Sequence, residues 1–430
     1  FDYVYSLSDD ASGNAIGGSG SFDVSQMTFE GGNTTAKASF EIPAQFRGHV
    51  SFTAVNEATK GATISDEGQK EIVVDDDAPV VSVTYDNNYP VTGNYYKADR
   101  TATIKIREDN FFGTEAWGQS DLNDYVPGTT EEYLVISVGK RLANQEDFTV
   151  EKVKPIFTYD AVEDCYVATV TFDKTAEYTF DIKYTDRSGN VYDSYVMDEF
   201  VVDKTGPSLN IEYDNNDVVN GSYYDADRTA VITIEELLFD AANVVFSVEA
   251  VDANGDEINL VEKDYATLLQ DVTKWSKEGD CYTISVPFDV DGNYTVEMSC
   301  TDMVGNQEQE AISETFCIDK VDPEVEQITY STPVLKAVLE TITFGFYKAP
   351  VTVTLRASDV TSGINSFVHS YGEEIDKVVM APELTVSGSV AEYTFEIPAQ
   401  FKGEVSFTAV DNAERKTTMV GDIVIVVDDK

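Results

Sequence analysis

Acidic and amide side chains of this chain fall at places where they could hold a hard divalent cation. Asp75 begins a run of three aspartates, and Asp86 opens an Asp-Asn-Asn turn shortly afterwards. Asp186 and Asn190 bracket a glycine-containing turn that we expect at one end of the same domain. Carboxylate and carbonyl oxygens are the ligands that Ca²⁺ prefers. The sequence therefore predicts calcium binding among these residues: Asp75, Asp76, Asp77, Asp86, Asp186 and Asn190.

The alternative is that these residues only build turns. Asp and Asn favour turns without any metal, and Asp-x-x-Gly-Asn is a good hairpin turn by itself. At two later, similar places a lysine follows the aspartate, as Asp203-Lys204 and Asp319-Lys320. A cation is therefore most expected at the first place.

Residues suited to catalysis are sparse. The chain has two histidines, His49 and His369, and a closely related stretch carries Glu404 where this one carries His49. We find no Ser-His-Asp or Cys-His constellation, no glycine-rich phosphate loop and no Cys/His metal spacing. Carboxylate pairs can be drawn almost anywhere among 78 acidic residues, so a pair carries little information. The sequence predicts a protein that is not an enzyme.

A long excursion between two predicted strands, residues 111–132, is the best candidate for recognition. Long loops on a rigid scaffold often bind partners, and exposed aromatic side chains are typical anchors. The alternative is that its aromatic residues fold back and plug the end of the domain. The candidate binding residues are Phe111, Phe112, Trp117 and Tyr125.

A repeated junction organises the whole chain. Val74-Asp75 leads to Pro79, Val202-Asp203 to Pro207 and Ile318-Asp319 to Pro323, always with the Asp and the Pro four residues apart. A spacing kept in this way marks a tandem array. The predicted domains are a leading fragment (1–77) and three complete modules: module 1 (78–203), module 2 (204–319) and module 3 (320–430).

Apolar residues alternate with polar ones along each module, which is typical of half-buried strands. In module 1 the residues Tyr178, Phe180, Ile182 and Tyr184 fall on one strand face. About seven such strands per module is the count of an immunoglobulin-like sandwich. The predicted fold class is all-β, an elongated array of tandem immunoglobulin-like β-sandwiches. One short amphipathic helix is expected within 264–277 of module 2.

The leading fragment and module 3 are siblings. Residues 40–55 and 395–410 differ at two positions only. The fragment therefore corresponds to the later strands of a module like module 3, and we expect the natural protein to extend in both directions.

Charge excludes several classes of partner. The net charge is −49, which disfavours nucleic acid and anionic membrane, because both attract basic surfaces. No apolar run has the length of a membrane span, so we expect no membrane insertion of this segment. Of four cysteines, Cys300 and Cys317 fall on neighbouring predicted strands, where a bridge is an alternative to small buried side chains.

Two Asp-Arg pairs begin equivalent strands, Asp99-Arg100 and Asp227-Arg228. Each pair could clamp a ligand. The more common role is an ion pair that pins the end of a strand, and this is the expectation here.

Three stretches of module 1 and its junction carry a family resemblance. The Tyr-Tyr-x-Ala-Asp-Arg-Thr-Ala stretch at 95–102, the turn at 186–190 and the Val-Asp-Lys-Thr-x-Pro junction at 202–207 resemble bacterial Ig-like repeats. Such repeats occur in large cell-surface proteins of Gram-positive anaerobes. The resemblance implies a cell-surface location, cell-wall-attached or secreted, with a stalk or adhesin role.

These observations predict a non-catalytic extracellular segment of a bacterial cell-surface protein. Its Ig-like repeats would act as a stalk and as an adhesive surface for a host surface or secreted protein, or for a glycan. One alternative is a host-protein binding module such as a superantigen-like immunoglobulin-binding protein. A second alternative is a set of accessory modules of a surface glycoside hydrolase.

Overall fold

The structure is a computed structural model with two compact units. Unit 1 comprises Phe1–Leu142 and Glu146–Asp203, and unit 2 comprises Ala143–Gln145 and Lys204–Lys430. Each unit is described by itself. The residues that the structure describes are 2–7, 18–32, 35–42, 44, 46–55, 61–65, 72–109, 111, 133–186, 188–308, 310–331 and 345–428.

The leading fragment of unit 1 is a sheet in the order β2-β1-β5-β6, with β7 also paired to β5, and a separate β3–β4 hairpin. A 3₁₀ turn covers Val24–Gln26. Its strands are β1 (Asp2–Leu7), β2 (Gly18–Ser21), β3 (Thr28–Glu30), β4 (Thr35–Lys37), β5 (Phe46–Val55), β6 (Gly61–Ser65) and β7 (Ile72–Val74).

Module 1, also in unit 1, is a sandwich of two antiparallel sheets closed by one short parallel pair. Its strands are β8 (Val80–Tyr85), β9 (Tyr95–Tyr96), β10 (Arg100–Arg107), β11 (Leu134–Leu142), β12 (Thr149–Val153), β13 (Thr158–Asp160), β14 (Cys165–Phe172), β15 (Ala176–Thr185), β16 (Val191–Tyr192) and β17 (Asp198–Val202). The sheets run β13-β14-β10-β8 and β12-β11-β15-β17-β9, with β16 beside β15.

This strand order is that of an immunoglobulin domain. Numbered by letter, the first sheet is D-E-B-A and the second begins C′-C-F-G, as in immunoglobulin sandwiches. The last pair, β17 with β9, is parallel. The alternation predicted for β15 is confirmed, since Tyr178, Phe180, Ile182 and Tyr184 all enter the core between the sheets.

Module 2 repeats this arrangement in unit 2. Its strands are β18 (Ser208–Tyr213), β19 (Tyr223–Tyr224), β20 (Arg228–Glu235), β21 (Val244–Val251), β22 (Ser276–Glu278), β23 (Cys281–Phe288), β24 (Gly292–Cys300) and β25 (Ile312–Ile318). The sheets are β18-β20-β23-β22 and β19-β25-β24-β21. Short 3₁₀ turns cover Ala241–Asn243, Val261–Lys263 and Val272–Lys274.

The helix predicted in module 2 is present as α1 (Tyr265–Gln270). The Asp264 side chain accepts a hydrogen bond from the Thr267 amide and caps it. Tyr265 and Leu269 face the core, and the Trp275 indole donates to the Leu269 carbonyl at 2.8 Å. The helix therefore covers the sandwich as its apolar spacing predicts.

Module 3 has the same first sheet but divides the second. Its strands are β26 (Glu324–Ser331), β27 (Phe346–Tyr347), β28 (Val351–Ser358), β29 (Ile364–Tyr371), β30 (Glu374–Met380), β31 (Thr385–Ser387), β32 (Val390–Ile397), β33 (Lys402–Gly403), β34 (Val405–Asp411), β35 (Lys416–Val420) and β36 (Ile425–Val427). The sheets are β26-β28-β32-β31, β30-β29-β34-β35 and β27-β36-β33. A 3₁₀ turn covers Ala381–Glu383.

Arginine pins the start of a strand in modules 1 and 2, but through aromatic rings. The Arg100 guanidinium lies 3.8 Å from the Tyr85 ring centroid and 4.0 Å from that of Tyr96, and it donates to the Asn87 carbonyl. Arg228 repeats the arrangement with Tyr213 and Tyr224. Both arginines are buried, and these cation–π contacts and carbonyl bonds form the structural clamp at the strand end. Asp227, the acid of the second Asp-Arg pair, pairs with Lys320 at 2.6 Å.

Several other expectations have plain outcomes. All four cysteines are free, so Cys300 and Cys317 do not form a bridge. Phe111 is buried and packs against Phe157, Tyr166 and Tyr184, which for this residue is the plugging alternative. Phe112, Trp117 and Tyr125 lie outside the described residues. Among the described residues, no helix is both long and apolar enough to cross a membrane.

His369 lies in the core of module 3. It is 1% exposed, and neither ring nitrogen has a hydrogen-bond partner among the described residues. Its ring stacks on Phe395 with centroids 4.4 Å apart. Burial, and then the positive charge of Lys377, lower the pKa of this imidazole, while Glu374 opposes the shift. The histidine is therefore a core side chain whose surroundings favour the neutral imidazole.

A lowered His369 pKa predicts that acid destabilises module 3. Below about pH 6.5 the unfolded chain binds a proton that the folded imidazole refuses, so stability falls as the pH drops toward the folded pKa. His369→Phe keeps an aromatic ring and removes the titration. We expect the unfolding free energy of wild type, relative to the variant, to fall by up to about 1.4 kcal/mol per pH unit between pH 6.5 and 5.

Urea unfolding of the full chain at several pH values measures this difference. All carboxylates are common to the two proteins, so their titration cancels in the comparison. Parallel pH profiles for wild type and variant would show that the buried imidazole is not the proton-linked group.

Candidate metal centres at the module joints

Three buried carboxylates meet where module 3 joins module 2 in unit 2. Asp319 directly follows β25, the last strand of module 2, Asp359 follows β28, and Asp411 ends β34. One carboxylate oxygen from each lies within 4.8 Å of the others. The three residues are 0%, 3% and 0% exposed, respectively. We call Asp319, Asp359 and Asp411 the joint triad of unit 2.

Local turns fix one oxygen of each carboxylate. Asp359 Oδ1 accepts hydrogen bonds from three consecutive backbone amides, Thr361 at 3.1 Å, Ser362 at 2.7 Å and Gly363 at 2.8 Å. Asp411 Oδ1 accepts from the Arg415 amide at 2.9 Å, and Asp319 Oδ1 accepts from the Val321 amide at 3.1 Å. Aspartate favours such turns, so these backbone hydrogen bonds orient the carboxylates without a bound ligand.

The other oxygens of two of these carboxylates are left without partners. Asp319 Oδ2 and Asp411 Oδ2 are buried, and neither has a hydrogen-bond partner among the described residues. The neighbouring Lys320 does not neutralise them by an ion pair, because its ammonium binds Asp227 at 2.6 Å and Asp291 at 3.4 Å. An unsolvated carboxylate without a counter-charge is expensive to bury.

The electrostatics of the triad reflect this cost. Burial raises the pKa of Asp319 to about 6; the nearby Ser362 hydroxyl opposes the rise, and repulsion from Asp359 adds to it. Burial raises the pKa of Asp411 to about 7, with repulsion from Asp319 and Asp359. A bound cation would remove both penalties, because it supplies the missing charge and occupies the unpartnered oxygens.

The donor set fits calcium. All three ligating groups are carboxylates, and Ca²⁺ binds oxygen ligands at about 2.3–2.6 Å, so two of its ligands can stand up to roughly 5 Å apart. The spacing of 4.8 Å or less falls within that limit. A softer metal would ask for cysteine or histidine instead.

The two modules also touch directly around the triad. The Asn293 amide donates to the Thr361 carbonyl at 2.8 Å, and the Ala253 amide donates to the Val360 carbonyl at 2.8 Å. Gly388 approaches so closely that a Cβ at its position would stand 2.2 Å from Asn254 Oδ1. A cation bound by Asp319 from one module and by Asp359 and Asp411 from the other would therefore join surfaces already in contact.

Unit 1 has a related cluster at the junction of the leading fragment with module 1. Carboxylate oxygens of Asp75, Glu108 and Asp186 lie within 4.8 Å of one another. Asp186 is fully buried, and its two oxygens accept the Asn190 amide at 2.9 Å and the Asn190 side-chain amide at 2.8 Å. The Asn190 side chain also donates to the Asp75 carbonyl at 3.1 Å. Asn190 therefore helps to position the cluster, and its role as a ligand stays a prediction.

The structure separates the predicted ligands of this first place. It brings Asp75 and Asp186 together, whereas Asp76, Asp77 and Asp86 are exposed and lie outside the cluster. Asp86 instead accepts a hydrogen bond from the Thr101 amide at 2.7 Å, and this bond lowers its pKa. Its carboxylate therefore closes a strand end in this structure, and its role as a calcium ligand stays a prediction.

Sequence reasoning missed Glu108, Asp359 and Asp411. A signal for the first was present, because Glu108 and Glu236 follow equivalent strands of modules 1 and 2 at the offset of 128 residues shared by Arg100 and Arg228. In module 3 the residue after the matching strand, β28, is Asp359. Because it is an aspartate, the sequence pattern of Glu108 and Glu236 did not point to it.

Comparison with known proteins gives distant likenesses only. No family model and no curated protein matches the chain. Among solved structures, the FdeC adhesin of Escherichia coli is 13% identical, covers 81% of this chain and 96% of its own, and has a TM-score of 0.31. A chimeric titin Z1Z2 tandem is 15% identical over 48% of this chain and 93% of its own, with a TM-score of 0.16. The Ig1-2 module of the Drosophila receptor tyrosine phosphatase DLAR is 11% identical over 52% and 98%, with a TM-score of 0.15.

Calcium should raise the thermal stability of unit 2 through the joint triad. A ligand that binds only the folded state stabilises it by mass action, and we expect an increase of several degrees in Tm between excess EDTA and millimolar Ca²⁺. Asp411→Asn removes one of three repelling carboxylates. It should raise Tm in EDTA by about 2–4 °C and abolish the increase with calcium.

Differential scanning calorimetry of the full chain measures both the effect of calcium on Tm and the effect of Asp411→Asn. The matched control is Asp217→Asn, which removes an exposed charge of unit 2 and should keep the response to calcium. A wild-type Tm that is the same in EDTA and in calcium would exclude a cation at this joint.

Proposed function

We propose that this chain is a non-catalytic extracellular segment of a bacterial cell-surface protein, built of Ig-like modules whose joints are held by calcium. The observation that carries the proposal is the joint triad of unit 2, with two buried and unpartnered carboxylate oxygens between two modules in direct contact. A cation shared by both modules would limit their rotation about the linker. Calcium is abundant outside cells, where affinities in the 0.1–1 mM range suffice for extracellular modules.

Charge supports the same role. A chain with a net charge of −49 repels itself, and this repulsion opposes close approach of acidic modules. Cations bound at the joints would offset part of the repulsion between neighbouring modules. Stiff joints suit a stalk that presents an adhesive face at a distance from the cell.

The position of the His369 imidazole supports the non-catalytic part of the proposal. This imidazole is enclosed by the rings of Tyr371, Tyr393 and Phe395. A general base must reach a substrate proton, and a fully buried ring does not.

Location and partner rest on the repeat motifs. The stretch at 95–102 and the junction at 202–207 resemble those of bacterial Ig-like cell-surface repeats, in which stalk and adhesin roles are expected. The partner we propose is a host surface or secreted protein, or a glycan.

Stiffening of the joint can be measured directly. Spin labels introduced as noncanonical amino acids at Val245 of module 2 and Val378 of module 3, both exposed, leave the native cysteines in place. Double electron–electron resonance should give a narrow distance distribution in calcium and a broad one in EDTA. In Asp411→Asn the distribution should be the same in both buffers.

The opposite outcome is equally clear. A distribution of unchanged width when calcium is removed from the wild-type chain would mean that direct contacts alone set the joint. The proposal of a calcium-held spacer would then be wrong.

A further inference from the structure

Module 2 carries an open groove. In module 1 the equivalent place is filled by one of that module's own side chains. The groove is a cavity of about 550 Å³ between edge strand β18 and strand β25, a volume typical of small-ligand sites. Six of its lining residues matter here: Ile211, Tyr213, Tyr224, Arg228, Glu314 and Phe316.

In module 1 a phenol fills the equivalent place. Tyr195 packs half-buried against the core, and its ring meets the Phe180 ring edge-on with centroids 5.9 Å apart. Its hydroxyl donates to the Asp198 carboxylate, which also accepts the Tyr85 hydroxyl at 2.6 Å. The two tyrosine hydroxyls and the Asp198 carboxylate thus satisfy one another's hydrogen-bonding capacity at this edge of the sandwich.

Module 2 keeps two members of that group and lacks the third. Tyr213 corresponds to Tyr85 in the shared Tyr-Asp-Asn-Asn turn, and Glu314 precedes Phe316 as Asp198 precedes Phe200. The same register places Ala311 where module 1 has Tyr195. Ala311 is exposed and carries no ring, so the groove stays open.

The groove retains the acid that two phenols share in module 1. The Tyr213 hydroxyl is buried and makes no hydrogen bond of good geometry among the described residues. Burial raises the Tyr213 pKa, and the nearby Glu314 carboxylate, as hydrogen-bond acceptor and as negative charge, adds to the rise. Asp198 accepts two phenol hydroxyls in module 1, so Glu314 has the capacity to accept a second one from a ligand beside Tyr213.

Arg228 does not turn the groove into an anion site. Its guanidinium is stacked between the Tyr213 and Tyr224 rings and donates to the Asn215 carbonyl at 3.0 Å and to Asn216 Oδ1 at 3.3 Å. Glu314 adds a negative charge to the wall. Phosphate and carboxylate ligands are therefore disfavoured, whereas a neutral aromatic alcohol fits the apolar and polar walls together.

We infer that the groove of module 2 binds a phenol ring supplied by a partner, namely an exposed tyrosine side chain of a protein ligand. The ring would occupy the place that Tyr195 fills in module 1, with its hydroxyl between Glu314 and Tyr213. The inference rests on the adhesive part of the proposed function and names its ligand chemistry. It does not depend on calcium.

N-acetyl-L-tyrosinamide is the probe for this site. Isothermal titration calorimetry and saturation-transfer NMR on the full chain should show saturable binding at one site, with a dissociation constant of about 1 mM or below. N-acetyl-L-phenylalaninamide, which lacks the hydroxyl, should bind at least about five-fold more weakly. The O-phosphorylated tyrosine amide should not bind measurably.

Matched variants locate the site. Ala311→Tyr supplies the missing ring in cis and should abolish binding, while Ala311→Ser leaves the groove open and should bind as wild type does. Tyr195→Ala opens the equivalent groove of module 1 and should raise the stoichiometry from one site to two. This gain of a site remains informative even if Ala311→Tyr folds poorly.

Defined outcomes overturn the inference. Absence of saturable binding to wild type, equal binding by Ala311→Tyr, or equal affinity for the phenylalanine analogue would each do so. Displacement of the probe by simple sugars with tighter binding would assign the groove to a glycan instead. Asp411→Asn should still bind the probe, so a failure of calcium binding and a failure of the groove are distinguishable.

Discussion

Burial of carboxylates without a counter-charge is the constraint on which the joint in unit 2 depends. Asp319, Asp359 and Asp411 are nearly inaccessible, and backbone amides satisfy only part of their hydrogen-bonding capacity. Removal of such charges from water costs far more than a typical hydrogen bond returns. The folded joint therefore exists either without a cation and with raised carboxyl pKa values, or with a bound cation. Its stability accordingly depends on the pH and on the cation concentration around it.

The modules themselves depend on a different interaction. In modules 1 and 2 a buried arginine lies between two tyrosine rings and binds the carbonyl of an adjacent turn. This contact ties the first strand, the short parallel strand and the start of the third strand to one point. Because guanidinium can stack and donate at the same time, one side chain closes the edge of the sandwich where the sheets would otherwise separate.

A shared frame permits local differences with functional consequences. Tyr195 closes the edge groove of module 1, and Ala311 leaves that of module 2 open, although the surrounding tyrosine, acid and phenylalanine are retained. Repeats that look interchangeable in sequence thus present different surfaces. The difference arises from one side chain outside the regular strands, where sequence varies more readily than within them.

The sequence by itself determined the repeat, the all-β class and the strand faces, because these follow from local signals: a two-residue period, turn residues and a fixed Asp-to-Pro spacing. It also predicted a short helix within 264–277, which the structure shows at 265–270, and pointed to Asp75 and Asp186. Only the tertiary structure decided that Glu108 completes that cluster, that Asp76, Asp77 and Asp86 stay outside it, and that Phe111 enters the core. Those outcomes depend on which strand ends converge and on which oxygens water reaches, and both are set by pairing between residues far apart in the chain.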